Sequence, residues 1–364
     1  MTLPPPAARL HLRPIHFVDT PVGLDGQAAR LAGGMQWFAA YELLAPGFRA
    51  TVPLADFPPL LERVSTTQAE RLQLLHARIT APRAPIACGA RMLRLDQPLV
   101  AGILNCTPDS FSDGGRNGAD PASIAAVGHR MAEAGAALID VGGESTRPGA
   151  ATVWEGDEIA RVVPVIERLA ASGTPISIDT RKAAVMEAAL AAGAHIVNDV
   201  AALLFEPRAL EVVARAGCPV VLMHSPDPAT GGHARPGYRN VLTDVFDWLE
   251  QRVEAVVAGG VARANILVDP GVGFGKSLAE NLALVNGLAI FHGLGCPVLL
   301  GASRKRMIGA LSKEAPADQR LGGSLTLALK GADAGAQLIR VHDVGDTVQA
   351  LRVWRGLRDT ALAG

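Results

Sequence analysis

From about residue 97 onward, short runs of apolar, often β-branched residues alternate with longer segments rich in Ala and Leu. The short runs predict strands and the longer segments predict helices. Continuous apolar runs are typical of strands buried on both faces of a parallel sheet. The predicted strands are LVAGIL, ALIDV, PISI, HIVNDV, PVVLM, ANILV, PVLLG and QLIRV.

A partial repeat supports this alternation. AGAALIDV starts at Ala134, AGAHIVNDV at Ala192 and AGAQLIRV at Ala334. In each copy we expect Ala-Gly-Ala to end a helix, with the glycine in the left-handed conformation, and a strand to follow at once. Eight strand–helix units in roughly 265 residues have the size of a (β/α)8 barrel, so we predict an α/β fold of the TIM-barrel type over residues 96–364.

Residues 1–95 lack this rhythm. RPIHFVD, GGMQWFAAYELL and RATVPL are candidate strands, and TQAERLQLLHARI from Thr67 is typical of a helix capped by a threonine. We therefore predict a small α+β extension before the barrel. We interpret it as a packing or dimer-support element, since nothing in its sequence indicates a function.

Composition limits the classes of protein to which the chain can belong. The 364 residues are 49% hydrophobic with a formal net charge of −1, so no basic excess indicates nucleic acid or an anionic membrane as a partner. The amino terminus has no apolar core of signal-peptide length, and no run is long enough to cross a membrane. The four cysteines are far apart, without a zinc or disulfide pattern, and fit a cytoplasmic protein.

The stretch DPGVGFGKS, residues 269–277, resembles a phosphate-binding loop but does not have its spacing. A P-loop needs a glycine five residues before Gly275-Lys276-Ser277, and Pro270 stands there, without an amide hydrogen. The sequence therefore disfavours a P-loop NTPase. We expect Lys276 and Ser277 to begin the next helix, without a phosphate role.

Polar residues follow every predicted strand. Because active sites of such barrels lie at the carboxyl ends of the strands, eight polar ends together predict one deep polar pocket. A single Asp or Asn at such a place would more often cap the following helix. The ends are Asn105, GGESTRPGA after strand two, Asp179-Thr180-Arg181, Asn198-Asp199, Met223-His224-Ser225, Asp269, Ser303-Arg304-Lys305 and Arg340-Val341-His342-Asp343.

These groups fall into two sets by chemistry. The first set, Asp179, Asn198 and Asp269, offers acceptors to a flat ring with N–H groups, and a carboxylate can accept two such bonds side by side. The second set, Arg340, His342 and Asn105, would form a separate donor group for an anion; Arg340 and His342 alternate along a strand and share a face. A heterocycle with a phosphate-type leaving group fits this division.

Eight motifs together resemble the pterin-binding family, and within it the dihydropteroate synthases, over residues 97–362. The motifs are GILNCTPDSFSDGG, DVGGESTRPGA, ISIDTRK, IVNDV, VLMHS, DPGVGFGKS, GASRKRMIG and IRVHDV, in family order. The resemblance implies a TIM barrel that joins dihydropterin pyrophosphate to p-aminobenzoate and releases pyrophosphate, with Mg²⁺, in folate biosynthesis. It also implies a cytoplasmic homodimer.

The resemblance also implies roles for individual residues. The pterin would be held by Asp179, Asn198, Met223, Asp269 and Lys305. The pyrophosphate would be held by Asn105, Thr146, Arg340 and His342, with Asn105 also near the metal. The aminobenzoate would be flanked by Phe111, Arg147, Pro148, Phe274, Ser303 and Lys305. The direct catalytic contribution would come from Lys305, Arg340, His342 and Asn105.

Some positions differ from the family pattern or are left open. Cys106 stands where valine is common, and the stretch 226–240 differs although Pro236 and Tyr238 recur. Asp109 would belong to the first loop, and the roles of Asp113 and Glu144 stay open. Two alternatives remain: a methyltetrahydrofolate-dependent methyltransferase, disfavoured because methyl transfer needs no pyrophosphate site, and a non-catalytic pterin-binding paralogue, which would lack the loop and anion-site residues.

Overall fold

The computed structural model of the chain describes residues 3–107, 120–145, 152–228 and 237–363. Its amino-terminal part is a four-stranded antiparallel sheet followed by helices, which confirms the predicted α+β extension. The elements are β1 (His11–Val18), β2 (Ala29–Arg30), β3 (Trp37–Ala45), β4 (Phe48–Pro53), α1 (Phe57–Leu61) and α2 (Thr66–Thr80), with a 3-10 turn at Leu54–Asp56.

The second helix of the extension begins slightly earlier than its sequence predicts. The cap is Ser65 and not a threonine: its hydroxyl accepts from the Gln68 amide, and the Gln68 side chain accepts from the Ser65 amide. This reciprocal capping box satisfies two amides that the first turn leaves unpaired, which is why the helix starts at Thr66.

An eight-stranded parallel sheet forms the main body, and the order of its strands in space follows their order in the chain. A parallel bridge between Val268 and Val298 closes the ring, which confirms the predicted TIM barrel. A short hairpin, β5 (Ile86–Cys88) and β6 (Arg91–Leu93), precedes it. The barrel strands are β7 (Leu99–Asn105), β8 (Leu138–Gly142), β9 (Ile176–Asp179), β10 (Ile196–Asp199), β11 (Val220–Met223), β12 (Ile266–Asp269), β13 (Leu299–Leu300) and β14 (Leu338–Val341).

Helices connect the strands on the outside of the barrel. They are α3 (Pro121–Glu133), α4 (Glu155–Ala171), α5 (Ala183–Ala191), α6 (Pro207–Ala216), α7 (Val241–Ala258), α8 (Leu278–Asn286), α9 (Arg306–Leu311), α10 (Leu321–Asp333) and α11 (Val344–Ala363), with 3-10 segments at Arg263–Asn265, Leu288–Leu294 and Ala317–Gln319. The repeated Ala-Gly-Ala turns behave as the sequence predicts, because Gly135, Gly193 and Gly335 all have positive φ angles, of 106°, 111° and 81°.

The hairpin β5–β6 closes the amino-terminal end of the barrel. Ile86, Cys88, Leu93 and Leu95 pack in one buried cluster with the first inward residues of the barrel strands. Those strand residues are Ala101, Leu138, Ile196, Val221, Leu267, Leu299 and Leu338. In the described part of the chain this end is filled, so a pocket in the barrel opens at the carboxyl ends of the strands. The domain boundary at residue 95 stays a prediction, and the segment just before it packs within the barrel core.

The extension is fixed to the barrel through α7 by charge and by apolar packing. Glu250, whose side chain is 10% exposed, forms ion pairs with Arg9, Arg71 and Arg78. Beside it, the ring of Phe246 packs edge-on against the ring of His11 of β1, with centroids 5.3 Å apart. Three guanidinium groups around one nearly buried carboxylate make this carboxylate the centre of the interface. Among the described residues, no helix is long and apolar enough to cross a membrane.

Glu250→Gln is expected to lower the free energy of unfolding by about 2 kcal/mol, because three arginines lose the anionic partner that they share at a poorly solvated site. Glu211, which pairs with Arg215 on the surface with its side chain 70% exposed, supplies the control. Glu211→Gln should change stability by less than about 0.5 kcal/mol. Chemical denaturation of both variants checks this, and equal midpoints would contradict the assigned role of Glu250.

Candidate active site

The carboxyl ends of the strands bring most of the predicted residues to one rim. Strand pairing aligns Asn198 with Asp179, Asp179 with Gly142, and Gly142 with Asn105 around one side of the ring. On the other side Met223 aligns with Asp269. β13 is shorter than predicted and ends at Leu300, so Ser303 and Lys305 approach the pocket from the turn that follows it.

Arg340 lies between two carboxylates at the centre of the pocket. Its Nε donates to Asp140 Oδ2 at 2.5 Å, and its Nη2 donates to Asp179 Oδ2 at 2.6 Å. Asp140 also accepts from Ser177 Oγ at 2.5 Å and from Asn198 Nδ2 at 3.1 Å. The donor and acceptor sets are thus joined in the structure, whereas the sequence analysis predicts Arg340 in a separate donor group.

Only one of the two carboxylate oxygens of Asp179 has a hydrogen-bond partner among the described residues. Its Oδ2 is held by Arg340, while its Oδ1 is buried and has no hydrogen-bond partner among the described residues. Burial raises the pKa of Asp179 to about 7, with Asp140 acting in the same direction and Arg340 against it. A buried acceptor without a donor is costly, so this atom indicates a ligand N–H.

Asp269 is arranged in the same way on the opposite side of the pocket. Its Oδ1 accepts from the Gly271 amide at 2.7 Å, and burial raises its pKa. Asn198 likewise commits its amide nitrogen to Asp140, which leaves its oxygen as the acceptor for a ligand. All three predicted ring-binding residues therefore have one atom fixed by the protein and another available.

Gly271 has to be glycine at this turn. Its φ angle is +68°, and a Cβ there would lie 1.9 Å from the carbonyl oxygen of His224. The loop that follows Asp269 is thereby held tightly against the end of β11. Phe274, half-buried, lies on this loop, and the buried Met223 ends β11 beside it.

Lys305 enters the pocket over the same loop. Its ammonium donates to the Val272 carbonyl and lies 4.4 Å from the centre of the Phe274 ring. Burial lowers the pKa of Lys305 to about 8, although Asp269 acts in the opposite direction. Lys305 therefore lies between Asp269, a predicted pterin residue, and Phe274, a predicted aminobenzoate residue.

The turn before Lys305 is held in an unusual conformation. Arg304 has a φ of 56°, which is unfavourable for a residue with a side chain. Its guanidinium forms a bidentate pair with Asp343, and its amide donates to Ser324 Oγ at 2.9 Å. These contacts turn Arg304 outward, so that Ser303 and Lys305 on either side face the pocket.

Ser303 orients His342. The Ser303 hydroxyl oxygen accepts from the His342 amide at 3.2 Å and lies 3.0 Å from His342 Nδ1. The Ser303 hydroxyl therefore contacts both the backbone and the ring of His342 and fixes the orientation of the imidazole just after β14.

Glu144, whose role the sequence leaves open, anchors backbone next to the second loop. It pairs with Arg181 at 3.2 Å and with Lys182 at 3.0 Å, and it accepts from the Val153 amide at 3.2 Å. Burial alone would raise the pKa of Glu144, but hydrogen bonds from Lys182 and Arg181 lower it. These contacts assign Glu144 a structural role.

Several predicted residues lie outside the described part of the chain. They are Asp109, Phe111, Asp113, Thr146, Arg147, Pro148 and Pro236. Two residues of the described pocket were not predicted as site residues. Asp140 is concealed within an apolar strand sequence, and Lys276 was expected only to begin α8. An acid at the centre of a buried strand was the signal for Asp140.

Comparison with known proteins agrees with this geometry. The family profile described as "Pterin binding enzyme" matches residues 101–342. Dihydropteroate synthase of Escherichia coli K12 is 47% identical over 264 residues, covering 72% of this chain and 92% of that protein. The Bacillus subtilis enzyme is 46% identical over 253 residues, covering 68% and 85%.

Solved structures give the same result. Xanthomonas albilineans dihydropteroate synthase with 4-aminobenzoic acid is 48% identical and superposes with a TM-score of 0.71, covering 75% of this chain and 98% of that one. The same enzyme in complex with 7,8-dihydropteroate is 46% identical, with a TM-score of 0.69, covering 76% and 99%.

The raised pKa of Asp179 predicts how stability changes with pH. A carboxyl group that holds its proton more tightly in the folded protein contributes fully at acid pH, and this contribution is lost as the pH rises through about 7. We expect the melting temperature of Asp179→Asn to fall less than that of the wild type between about pH 5 and about pH 8. Calorimetry measures both. Asp359→Asn, at an exposed residue of α11, should follow the wild type; a parallel curve for Asp179→Asn would contradict the assignment.

Proposed function

Because the chain belongs to the pterin-binding enzymes, and within them to the dihydropteroate synthases, we propose that its pocket condenses dihydropterin pyrophosphate with p-aminobenzoate. The protein is a transferase of this family, and pyrophosphate is the second product. The observation that carries the proposal is the buried Asp179 Oδ1, which lacks a donor in the described protein and suits a ring N–H.

The pterin would lie between Asp179, Asn198 and Asp269. Each offers one oxygen while its other polar atom is held by Arg340, Asp140 or Gly271, so the acceptors are fixed before the ligand arrives. Preorganised acceptors lose little entropy on binding. Met223 would contribute an apolar wall, and the Lys305 ammonium would donate to acceptor atoms of the ring.

The pyrophosphate would lie near His342, Asn105 and Arg340. His342 would donate from its imidazole, whose orientation is fixed by the contact with Ser303. Burial opposes the charged guanidinium, but Asp140 and Asp179 raise the pKa of Arg340 and keep it cationic. Thr146, the other predicted contact, is outside the described residues.

The pocket suits Mg²⁺ only if oxygens of the protein and of the pyrophosphate coordinate the ion together. The described residues contain no group of three His, Cys, Asp or Glu that could hold a metal ion. Mg²⁺ commonly binds one or two protein oxygens, several waters and substrate phosphates, and Asn105 at the end of β7 supplies one amide oxygen. When bound, the ion would offset charge on the leaving pyrophosphate.

The aminobenzoate would lie at the outer part of the pocket, beside Phe274, Ser303 and Lys305. Phe111, Arg147 and Pro148, which the resemblance also places there, are outside the described residues. The arylamine is neutral and nucleophilic at neutral pH, so the reaction needs no strong general base. The dihydropterin ring can delocalise the cation that develops as pyrophosphate leaves.

Catalysis then depends on charge stabilisation and orientation. Arg340 and His342 would stabilise the departing anion, and Lys305 would orient both rings. The homodimer and the cytoplasmic location implied by the resemblance remain predictions. The direct test measures pyrophosphate release by the full chain with both substrates and Mg²⁺. Absence of release under these conditions would contradict the proposed function.

Asp269→Asn is expected to weaken binding of dihydropterin pyrophosphate by about tenfold or more, because a charge-assisted hydrogen bond to the ring is lost. Isothermal titration calorimetry measures this. Asp333→Asn is the matched control, because Asp333 lies at the end of α10 and accepts from Trp354 at 2.8 Å, which an amide oxygen can also do. An unchanged affinity for Asp269→Asn would rule out the ring contact.

A further inference from the structure

Lys276 is a buried lysine that the proposed mechanism does not use. Its ammonium lies 2.8 Å from the Gly271 carbonyl oxygen, 3.1 Å from the Phe274 carbonyl oxygen and 3.1 Å from His224 Nδ1. Only 7% of the residue is exposed. An ammonium has three N–H donors, and these three acceptors use all of them. Lys276 therefore has no donor left for a substrate.

The arrangement is the reverse of a phosphate-binding loop. In a P-loop, backbone amides face an anion. Here backbone carbonyls of the loop face cations: Lys276 binds those of Gly271 and Phe274, and Lys305 binds that of Val272. Buried carbonyls need such partners, so the two lysines together fix the conformation of the loop.

His224 completes this support from β11. Burial, and then the charge of Lys276, lower the pKa of His224 to about 3, which keeps the imidazole neutral and lets Nδ1 accept. The ring packs edge-on against Trp248 of α7, with centroids 4.9 Å apart. Lys276 is thus held from outside the loop as well as within it.

The loop in turn positions two side chains of the pocket, Phe274 and Lys305. Phe274 is bound at its carbonyl by Lys276, and its ring lies 4.4 Å from the Lys305 ammonium. Gly273 lets Lys305 pass close by, because a Cβ there would be 2.7 Å from Lys305 Cδ. The backbone of Asp269 is fixed by strand pairing, with its carbonyl accepting from the His224 amide at 2.9 Å, and its carboxylate meets the loop through the Gly271 amide at 2.7 Å.

We propose that Lys276 is a positioning residue that fixes the loop of residues 271–275 and thereby places Phe274 and Lys305 for the second substrate. This role rests on the proposed function for the identity of that substrate. Loss of Lys276 should disturb the aminobenzoate side of the pocket more than the pterin side, because the pterin acceptors Asp179, Asn198 and Asp269 lie on barrel strands, whereas Phe274 lies on the loop itself.

The test uses Lys276→Met, which keeps an unbranched side chain one atom shorter and removes its three donors. The KM for p-aminobenzoate should rise about tenfold or more, while the Kd of dihydropterin pyrophosphate should change by less than about threefold. Lys276→Gln, which can still donate to the carbonyls, should lie between wild type and Lys276→Met.

Ser277→Ala is the matched control. Ser277 caps α8 through the Glu280 amide at 3.3 Å, so its loss should lower the melting temperature without changing either constant. Hydrogen exchange gives a readout independent of activity: amides of residues 271–275 should exchange faster in Lys276→Met than in wild type or Ser277→Ala, while those of β12 should not.

Three results would overturn the proposal: an unchanged KM for p-aminobenzoate, equal weakening of both ligands, or unchanged exchange in the loop. If neither Lys276 variant folds, Lys276 is a folding element and the positioning role fails. Failure of the proposed function is recognised separately, because the wild type would then release no pyrophosphate even though the exchange comparison could still be made.

Discussion

A charged arginine enclosed in a barrel must be neutralised by carboxylates, and the arrangement of the rest of the pocket depends on which carboxylates do so. Arg340 projects from β14 and is neutralised by Asp140 of β8 and Asp179 of β9. Removing one partner would leave an uncompensated charge in a poorly solvated place. The ion pairs therefore join three strands across the ring, and the remaining oxygen of Asp179 becomes a rigid acceptor. Ser177 and Asn198 complete the shell of Asp140 and are fixed in turn.

The barrel and most of its polar rim could be predicted from the sequence, because both follow from local patterns. Apolar runs mark strands, and the first polar residue after each run lies at the carboxyl end by geometry alone. The same rule also selects polar residues whose side chains stabilise a turn of the backbone. Asp199 occupies such a position, but both of its oxygens accept amides of its own turn, from Ala201 and Leu203 at 2.7 Å.

The partners of these groups could not be predicted, because they depend on which residues distant in the chain meet inside the ring. Arg340 was expected to act with His342 in a separate donor group, and it is held by Asp140 and Asp179, which lie 200 and 161 positions earlier in the chain. Lys276 resembled the first residue of a helix, and only the fold of its own loop shows that its side chain turns inward. The sequence predicts a separate donor group, and the structure was needed to show that Arg340 joins the donor set to the acceptor set.

The hairpin that seals the amino-terminal end gives the pocket a single mouth. A molecule seated at the depth of Asp179 can be reached only through the space above it, where the Phe274 and Lys305 side chains lie. A molecule in that upper space blocks both entry to and exit from the deeper part of the pocket. Under the proposed function, dihydropterin pyrophosphate would therefore enter before p-aminobenzoate, and the joined product would leave through the same opening. A few apolar side chains at the far end of the barrel, around Ile86 and Leu93, would impose this order without touching either substrate.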